Sequence, residues 1–188
     1  AGFPPFFRGH NHSPALEVAA NGDLLYASYT SYGEYEPGVS FIMARLRFGA
    51  DQWDFPDGFL DFADVNVHAP MLWRDAGRLY FFFGTPRLAG AAPFNWMFSD
   101  DHGATWSPVQ YPNFSGFAGP NTRQPISSMV KTQDGTFMFA SDAVEATSVI
   151  WLSRDGMQTW EDPGSRTGGR HTVFCQLEDG SLFAMGGK

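Results

Sequence analysis

Short apolar segments alternate with glycine-containing turns along most of the chain. Four stretches share one template, in which an apolar strand, a turn with glycine and a second apolar strand follow one another. These stretches begin at His12, His68, Ile126 and His171. Their turn glycines are Gly22, Gly77, Gly135 and Gly180. Three of these glycines follow Asn or Asp, in dipeptides that favour hairpin turns. The pattern therefore predicts four antiparallel hairpins.

Further apolar segments follow three of these hairpins. Third strands are predicted over 39–48, 94–99 and 148–153, and fourth strands start near Trp53, Trp106 and Trp160. Four antiparallel strands that recur roughly every 50 residues are typical of one blade of a β-propeller. No segment sustains the apolar period of a long helix. We therefore predict an all-β propeller fold, with a β-sandwich of accidental periodicity as the alternative.

The predicted domain, 1–188, is a partial propeller of about three and a half blades. Its blades span about 12–63, 68–112 and 123–163, and a half blade spans 171–188. Because propellers close around an axis with 4–8 blades, we expect this domain to belong to a six- or seven-bladed ring. Exposed sheet edges pair readily with other strands. We therefore expect a second chain, or a second copy of this chain, to complete the ring.

Two motifs of the form S-x-D-x-G-x-T-W lie between predicted third and fourth strands. The first matches at every fixed position, which are Ser99, Asp101, Gly103, Thr105 and Trp106. The second has its glycine shifted by one position and keeps Ser153, Asp155, Thr159 and Trp160. An Asp carboxylate can accept amide hydrogen bonds across a tight turn, and Trp can cover that turn. We interpret both Asp boxes as structural.

Asp boxes on four-stranded repeats resemble those of the sialidase superfamily, the BNR-repeat β-propellers. The segments TGGRHT and GEYEPGVS look most like the propeller lyases that cut rhamnose–glucuronate linkages. The resemblance runs from about residue 9 to residue 188. It implies a carbohydrate-active enzyme, either a lyase or a glycoside hydrolase such as an exo-sialidase or a rhamnosidase-like enzyme.

First strands line the axis of a propeller, so polar residues at their starts should converge on one face, where ligands bind. Four of the five histidines lie at such starts, and the fifth, His102, lies in an Asp box. The candidate catalytic residues are His68, Arg123, His171 and His12. The candidate substrate-binding residues are Arg170, His10, Asn66, Gln124 and Tyr32.

The residue types among these candidate site residues indicate which reaction to expect. Glycosidases commonly need two carboxylates beside the scissile bond, and no predicted strand start carries Asp or Glu. Elimination at a uronate needs a cation against the carboxylate and an imidazole or phenol that moves a proton. Arg123 fits the first role, and His68 or His12 fits the second.

A hydrolase and a non-catalytic glycan-binding propeller are the alternatives. The sialidase pattern includes an arginine triad and an Asp acid. Arg123 and Arg170 match two of those arginines, Arg8 is a doubtful third, and no matching Asp is evident.

Net charge and composition limit the classes of partner that we expect this protein to bind. The chain carries a net charge of −8, and it shows no basic stripe. Nucleic acid and anionic membranes are therefore excluded as expected partners, whereas an oligosaccharide or polysaccharide remains the expected substrate. We expect no cofactor and no metal site, with a structural cation in the central channel as an open alternative.

The single cysteine, Cys175, lies in an apolar run and is expected to be a small buried hydrophobe.

The first residue bears on where the protein is located. The chain begins at Ala1 instead of Met, which favours a processed product. Removal of a signal peptide would make the protein secreted or periplasmic.

Overall fold

The predicted hairpins form antiparallel sheets in the computed structural model, which describes residues 7–88, 90–125 and 129–187. The first sheet has the order β1-β2-β3-β4, so each strand pairs with the one that precedes it along the chain. Its strands are β1 (His10–Val18), β2 (Leu24–Ser31), β3 (Ser40–Leu46) and β4 (Asp57–Leu60).

Three further sheets repeat this meander. The second holds β5 (His68–Asp75), β6 (Arg78–Gly84) and β7 (Asn95–Ser99). The third holds β8 (Val130–Lys131), β9 (Phe137–Asp142), β10 (Thr147–Ser153) and β11 (Arg166–Gly168). The last is the hairpin of β12 (Arg170–Gln176) and β13 (Leu182–Gly187).

The elements outside these strands are turns and loops. Within the described ranges no helix occurs, and so none is long and apolar enough to cross a membrane. The strand start predicted at Ile126 falls outside the described residues, as does Lys188 at the end of the predicted half blade. In the second sheet an isolated bridge from Trp96 to Gln110 takes the place of a fourth strand.

Aromatic side chains fill the space between neighbouring sheets. Successive side chains of a strand point to opposite faces. On β6, Phe81 and Phe83 therefore pack with Phe41 of the first sheet, while Phe82 packs with Phe139 of the third. The Phe41–Phe81 and Phe82–Phe139 ring centroids lie 5.1 Å and 5.3 Å apart. The second sheet is thus covered by a neighbouring sheet on each face.

A third and smaller core joins the last hairpin to the third sheet. It contains Met138 and Ala140 of β9 and Phe174 of β12. The four sheets therefore stack face to face in chain order, which is how consecutive blades pack in a propeller.

Both Asp boxes close tight turns after the third strand of a sheet. The Asp101 carboxylate accepts hydrogen bonds from the Ser99 hydroxyl (2.7 Å), the Thr105 amide (2.8 Å) and the Thr105 hydroxyl (2.6 Å). Asp155 likewise accepts from the Thr159 amide (2.9 Å) and hydroxyl (2.6 Å). Both carboxylates are thus engaged within their own turns.

The first Asp box also touches the neighbouring sheet. Arg45 of β3 forms an ion pair with Asp23 (2.8 Å) and donates a hydrogen bond to the His102 carbonyl (2.8 Å). Gly103 has a φ of +83°, and a Cβ there would lie 2.5 Å from the Leu25 side chain. A larger residue at Gly103 would therefore press on the buried Leu25 side chain, and the left-handed backbone favours glycine.

The box tryptophans belong to the cores between sheets. The Trp106 ring lies 5.4 Å from Phe59 in the first core. Trp160 is fully buried in the second core, 5.0 Å from Phe94. Trp53, in the segment without an Asp box, is 44% exposed. The two Asp-box tryptophans therefore anchor their turns more deeply than Trp53 anchors the first unit.

Cys175 is exposed, and the expectation of a buried thiol is wrong. The alternation of β12 explains the difference, because Phe174 points to the third sheet and its neighbours Val173 and Cys175 point away. Phe183, which pairs with Cys175 on β13, is also exposed. An apolar run does not show which face of its hairpin is covered.

The Asp101 carboxylate should carry a pH-dependent part of the stability. Its hydrogen bonds, first of all from the Thr105 hydroxyl, hold its pKa well below the ordinary value near 3.9. The unfolded chain therefore binds this proton more readily, so the stabilisation is complete above about pH 4 and is lost as the pH falls through the folded-state pKa. Asp101→Ala should lower Tm at neutral pH, and its deficit against the wild type should shrink in acid.

Asp100→Ala is the matched control, because Asp100 is an exposed neighbour that pairs with Arg78 at the surface. Exposed pairs contribute little. Equal losses of Tm in the two variants would show that the box carboxylate does not stabilise its turn.

Candidate functional site

The first strands of three sheets begin with a β-bulge. The pairing register shifts between His12 and Ala15, between His68 and Met71, and between Arg170 and Val173. A left-handed residue lies in each bulge, namely Ser13 (φ 52°), Ala69 (φ 56°) and His171 (φ 53°). Few non-glycine residues adopt this conformation, and bulges often re-aim side chains near functional sites.

The bulges define which residues are equivalent. His12, His68 and Arg170 each precede the left-handed residue, whereas His171 occupies that position itself. The equivalent residue of the last hairpin is therefore Arg170, one residue earlier than the sequence spacing predicted. Arg123, before the third sheet, is itself left-handed, with a φ of 59°.

The strand starts touch one another through backbone groups. His68 pairs with Gly84 at the end of β6, where a Cβ would collide with the Arg123 carbonyl. Next along, the Asp142 amide donates a hydrogen bond to the Gln124 carbonyl (3.1 Å). The predicted site segments of the second and third sheets thus lie side by side. The Tyr29–His68 ring contact adds the first sheet to them, and the Asp142–Arg170 ion pair adds the last hairpin. We call this row of first-strand starts, with the strand ends beside them, the hub face.

Tyr29 of β2 occupies the centre of a ring stack on the hub face. Its ring lies 4.6 Å from that of His68, nearly parallel at 11°, and 5.7 Å from that of His12 on the other side. His10 completes the cluster at 5.9 Å. Tyr29 is buried while His12 is exposed. The structure therefore brings together three predicted histidines around a tyrosine that the sequence did not single out.

The Tyr29 hydroxyl is buried and lies near the Glu34 carboxylate, but it makes no hydrogen bond of good geometry within the described residues. Burial raises the pKa of Tyr29, and the nearby Glu34 carboxylate raises it further. The phenol therefore stays protonated at neutral pH, beneath the His12 ring.

Asn66 and His68 fix the loop between β2 and β3. The His68 Nε2–H donates to the Glu34 carbonyl (2.8 Å), which sets the tautomer because a carbonyl only accepts. The Asn66 amide nitrogen donates to the Glu34 carbonyl (3.0 Å) and the Glu36 carbonyl (2.7 Å). Burial lowers the pKa of His68, so it is held neutral. Both predicted residues therefore hold this loop in place through hydrogen bonds to its backbone.

The two tyrosines of that loop point outward beneath arginines. Tyr32 is strongly exposed, and the Arg8 guanidinium lies 5.2 Å from its ring centre. The Arg87 guanidinium lies 4.7 Å from the Tyr35 ring centre. Cation–π contacts of this kind leave the ring edges open to solvent.

The Arg123 side chain binds the backbone of a loop. Its guanidinium donates to the Ala91 carbonyl (3.2 Å) and the Pro86 carbonyl (3.2 Å). These contacts fix the loop between β6 and β7. The predicted role of Arg123 as the cation against a substrate carboxylate receives no support from this geometry.

Asp142 organises the far end of the hub face. Its carboxylate is fully buried and accepts hydrogen bonds from Arg170 Nε (2.9 Å) and from the His171 amide (2.7 Å). His171 Nδ1 also lies 3.2 Å from it. The Arg170 and His171 side chains are each about half exposed. The Arg170 guanidinium and the His171 imidazole therefore face solvent while both residues are held by a buried anchor.

The sequence analysis missed Asp142 because it lies at the end of a second strand, not at the start of a first one. Strand starts and the ends of their partners meet in a hairpin, which is the signal that would have located it. No group of three His, Cys, Asp or Glu side chains that could hold a metal ion occurs in the described part of the chain.

Solved structures with this fold include sialidases. A sialidase from Trypanosoma rangeli, in complex with sialic acid, matches with a TM-score of 0.68 and 12% identity over 94% of this chain and 34% of its own. A mutant NanB sialidase from Streptococcus pneumoniae matches with a TM-score of 0.71 and 10% identity over 96% of this chain and 48% of its own. A protein of unknown function from Dyadobacter fermentans matches with a TM-score of 0.66 and 18% identity over 94% of this chain and 57% of its own.

These likenesses confirm the all-β, sialidase-like propeller fold. The chain spans between about a third and three fifths of the structures it matches. No family model matches the chain, and no curated protein matches it. The fold is therefore shared with enzymes, while the chemistry of this chain depends on the residues of its hub face.

Asp142→Asn should destabilise the protein. It removes the charge that holds Arg170 and the His171 amide, and hydrogen bonds to charged groups contribute about 1.5–3 kcal/mol. Asp75→Asn is the control, because its pair with Lys131 is partly exposed and is expected to contribute less than about 1 kcal/mol. Urea unfolding measures both losses. A smaller loss for Asp142→Asn than for Asp75→Asn would contradict the anchoring role.

His68 should make stability fall in mild acid. Because burial lowers its folded pKa, the unfolded chain takes up the proton at a higher pH than the folded one. The free energy of unfolding should therefore decrease as the pH falls below about 6.5. His68→Phe keeps a ring against Tyr29 but cannot titrate, so it should weaken this decrease. His102→Asn should leave it unchanged, and an identical pH dependence in wild type and His68→Phe would refute the assignment.

Proposed function

We propose that this chain forms part of a secreted or periplasmic carbohydrate-active enzyme that cleaves an acidic glycan by elimination at a uronate, for example in a rhamnose–glucuronate linkage. The observations that carry the proposal are the exposed His12 ring stacked on Tyr29 at the first-strand start of the first sheet, and the half-exposed Arg170 and His171 at the first-strand start of the last hairpin. The shared fold with sialidases supports a glycan as substrate.

His12 is the best-placed group to move the proton. Its imidazole is exposed and stacked on Tyr29, and imidazoles are the side chains that most often act as general bases. In the proposed reaction it takes the proton from C5 of the uronate. The electron pair forms the C4–C5 double bond, the bond from C4 to the glycosidic oxygen breaks, and that oxygen takes a proton from an acid. His171, half exposed, is the candidate acid.

Arg170 takes the role of cation. Removal of the C5 proton builds negative charge on the uronate carboxylate, which a fixed guanidinium stabilises. The Asp142 carboxylate orients Arg170 while leaving part of its side chain in solvent. We therefore transfer to Arg170 the role that the sequence suggested for Arg123, and assign Arg123 to positioning of the loop before β7. The elimination as written needs no cofactor.

A complete ring is part of the proposal. The last hairpin exposes Val173, Phe183 and Met185 on the face away from the third sheet. Each earlier sheet interface is filled by apolar side chains of this kind. We propose that a further blade, from a second chain or a second copy, covers this face and closes the hub.

Hydrolysis is the second candidate. The Glu34 carboxylate lies near the Tyr29 phenol and contributes to its raised pKa. A tyrosine beside a carboxylate suits the tyrosine-nucleophile chemistry of sialidases. The buried hydroxyl of Tyr29 argues against direct attack on a substrate in this conformation. The products distinguish the two reactions, because elimination leaves an ultraviolet-absorbing unsaturated uronate and hydrolysis does not.

His12→Asn should abolish most turnover of a uronate-containing polysaccharide by the complete protein. A general acid or base contributes about 10²–10⁴-fold, so kcat should fall by that factor. The ultraviolet absorbance of the unsaturated product measures the rate.

His102→Asn is the control, because His102 lies in an Asp-box turn and should leave the rate unchanged. Full activity of His12→Asn would remove His12 from the mechanism. New reducing ends without unsaturated product would establish hydrolysis in place of elimination.

A further inference from the structure

A groove lies between the third sheet and the last hairpin, at the end of the sheets opposite the hub face. First strands begin at the hub face, so the hairpin turns that follow them lie at this opposite end. The groove has a volume of about 460 Å³, and its walls include Gln133, Met138, Leu152, Gly180 and Leu182. No hub-face side chain lines it. We call it the end groove.

The equivalent position between the first and second sheets can be located from the repeat. Leu25 is the third residue after its turn glycine, and it pairs with Arg45. Met138 is likewise the third residue after its turn glycine, and it pairs with Leu152. Both Leu25 and Met138 face the following sheet. Met138 and Leu152 in the end groove are therefore equivalent to Leu25 and Arg45.

The first Asp box covers Leu25 and Arg45. Its His102 carbonyl accepts a hydrogen bond from Arg45, and its Gly103 lies against the Leu25 side chain. A Cβ at Gly103 would also lie 3.6 Å from Leu79 of its own sheet, which is fully buried. One Asp-box turn thus closes the gap between two sheets at the end opposite the hub face.

The second Asp box closes the next interface in the same way. Its Met157 and Trp160 are buried in the second core, where Phe137, the residue equivalent to Leu79, is buried as well. The equivalent residue of the last hairpin is Leu182, again the second residue after its turn glycine, and it is 43% exposed. An exposed leucine therefore lines the groove at the one interface of this sequence that has no Asp box.

The free edge of β13 is suited to a third strand. β3, β7 and β10 each pair with the second strand of their sheets, whereas β13 pairs only with β12 among the described residues. An unpaired edge can accept a further strand through its backbone groups. A strand antiparallel to β13 would run from the hub face toward the end groove. The turn that follows such a strand would lie over Met138 and Leu182.

We infer that the end groove binds a third Asp box, carried by a polypeptide segment outside residues 1–188. This segment pairs a strand with β13, its Asp-box turn covers Met138 and Leu182, and the tryptophan of the box enters the third core. A second copy of this chain does not supply the segment, because its Trp106 and Trp160 are already packed in the cores between its own sheets.

The third Asp box contacts a different face from the blade proposed to close the ring. Leu182 lines the end groove on the side of the third sheet, whereas its neighbour Phe183 is exposed on the outer face with Val173. Charges placed at Leu182 and at Phe183 therefore test separate contacts. Neither contact takes part in the proposed elimination, so the two proposals fail separately.

Thermal unfolding of the complete protein tests whether Leu182 is covered. Leu182→Glu would place a charge beneath the box, and an unpaired buried charge is strongly destabilising, so Tm should fall by about 5 °C or more. Leu177→Glu is the matched control, because Leu177 is 48% exposed in the same hairpin and does not line the end groove. It should change Tm by less than about 2 °C. Equal Tm values for the two variants would overturn the inference.

Photo-crosslinking identifies the occupant in the same complete protein. With benzoylphenylalanine in place of Leu182, irradiation should join the hairpin to a segment outside residues 1–188. Mass spectrometry of the digest should find an Asp-box sequence in that segment. The same replacement at Leu177 should give no such product. No crosslink from position 182, or crosslinks only to a second copy, to residues 1–188 or to a segment without an Asp box, would overturn the inference.

Discussion

The packing of aromatic side chains between one sheet and the next is the interaction on which the rest of the structure depends. The alternation of β6 sends Phe81 to one neighbour and Phe82 to the other, so a single strand fixes two interfaces. Burial of apolar area is non-directional, but the ring edges and faces here meet at defined angles. This packing sets each sheet at a fixed angle to the next. As a result, the first strand of each sheet begins at the hub face.

The packing of the sheets places the candidate catalytic side chains together on the hub face. A bulge with a left-handed residue opens three first strands, and the residue before it is His12, His68 or Arg170. One backbone device therefore places an imidazole, a second imidazole and a guanidinium at equivalent points. Their surroundings then separate their roles, because His68 is buried and held neutral while His12 remains exposed.

The regular repeat of apolar strands and glycine-containing turns along the sequence made the hairpins, the Asp boxes and the propeller fold predictable. Local signals such as Asp134-Gly135 and Ser99 to Trp106 need no tertiary context. Tyr29 and Asp142 were not predictable in the same way. Tyr29 lies in a strand whose buried face looks like ordinary core, and Asp142 acquires its partners from a hairpin that begins 28 residues later at Arg170. Arg123 was recognised as special, but its bonds to carbonyls of a distant loop depend on packing that no local pattern encodes.

The central claim is that acidic glycan chemistry takes place on the hub face. A crystal structure of the complete, His12→Asn protein with a uronate-containing oligosaccharide tests it most directly. The account predicts the uronate over the ring stack, with its carboxylate toward Arg170 and its C5 beside residue 12. A uronate bound away from the hub face, or a hub face filled by protein side chains from the closed ring, would contradict it.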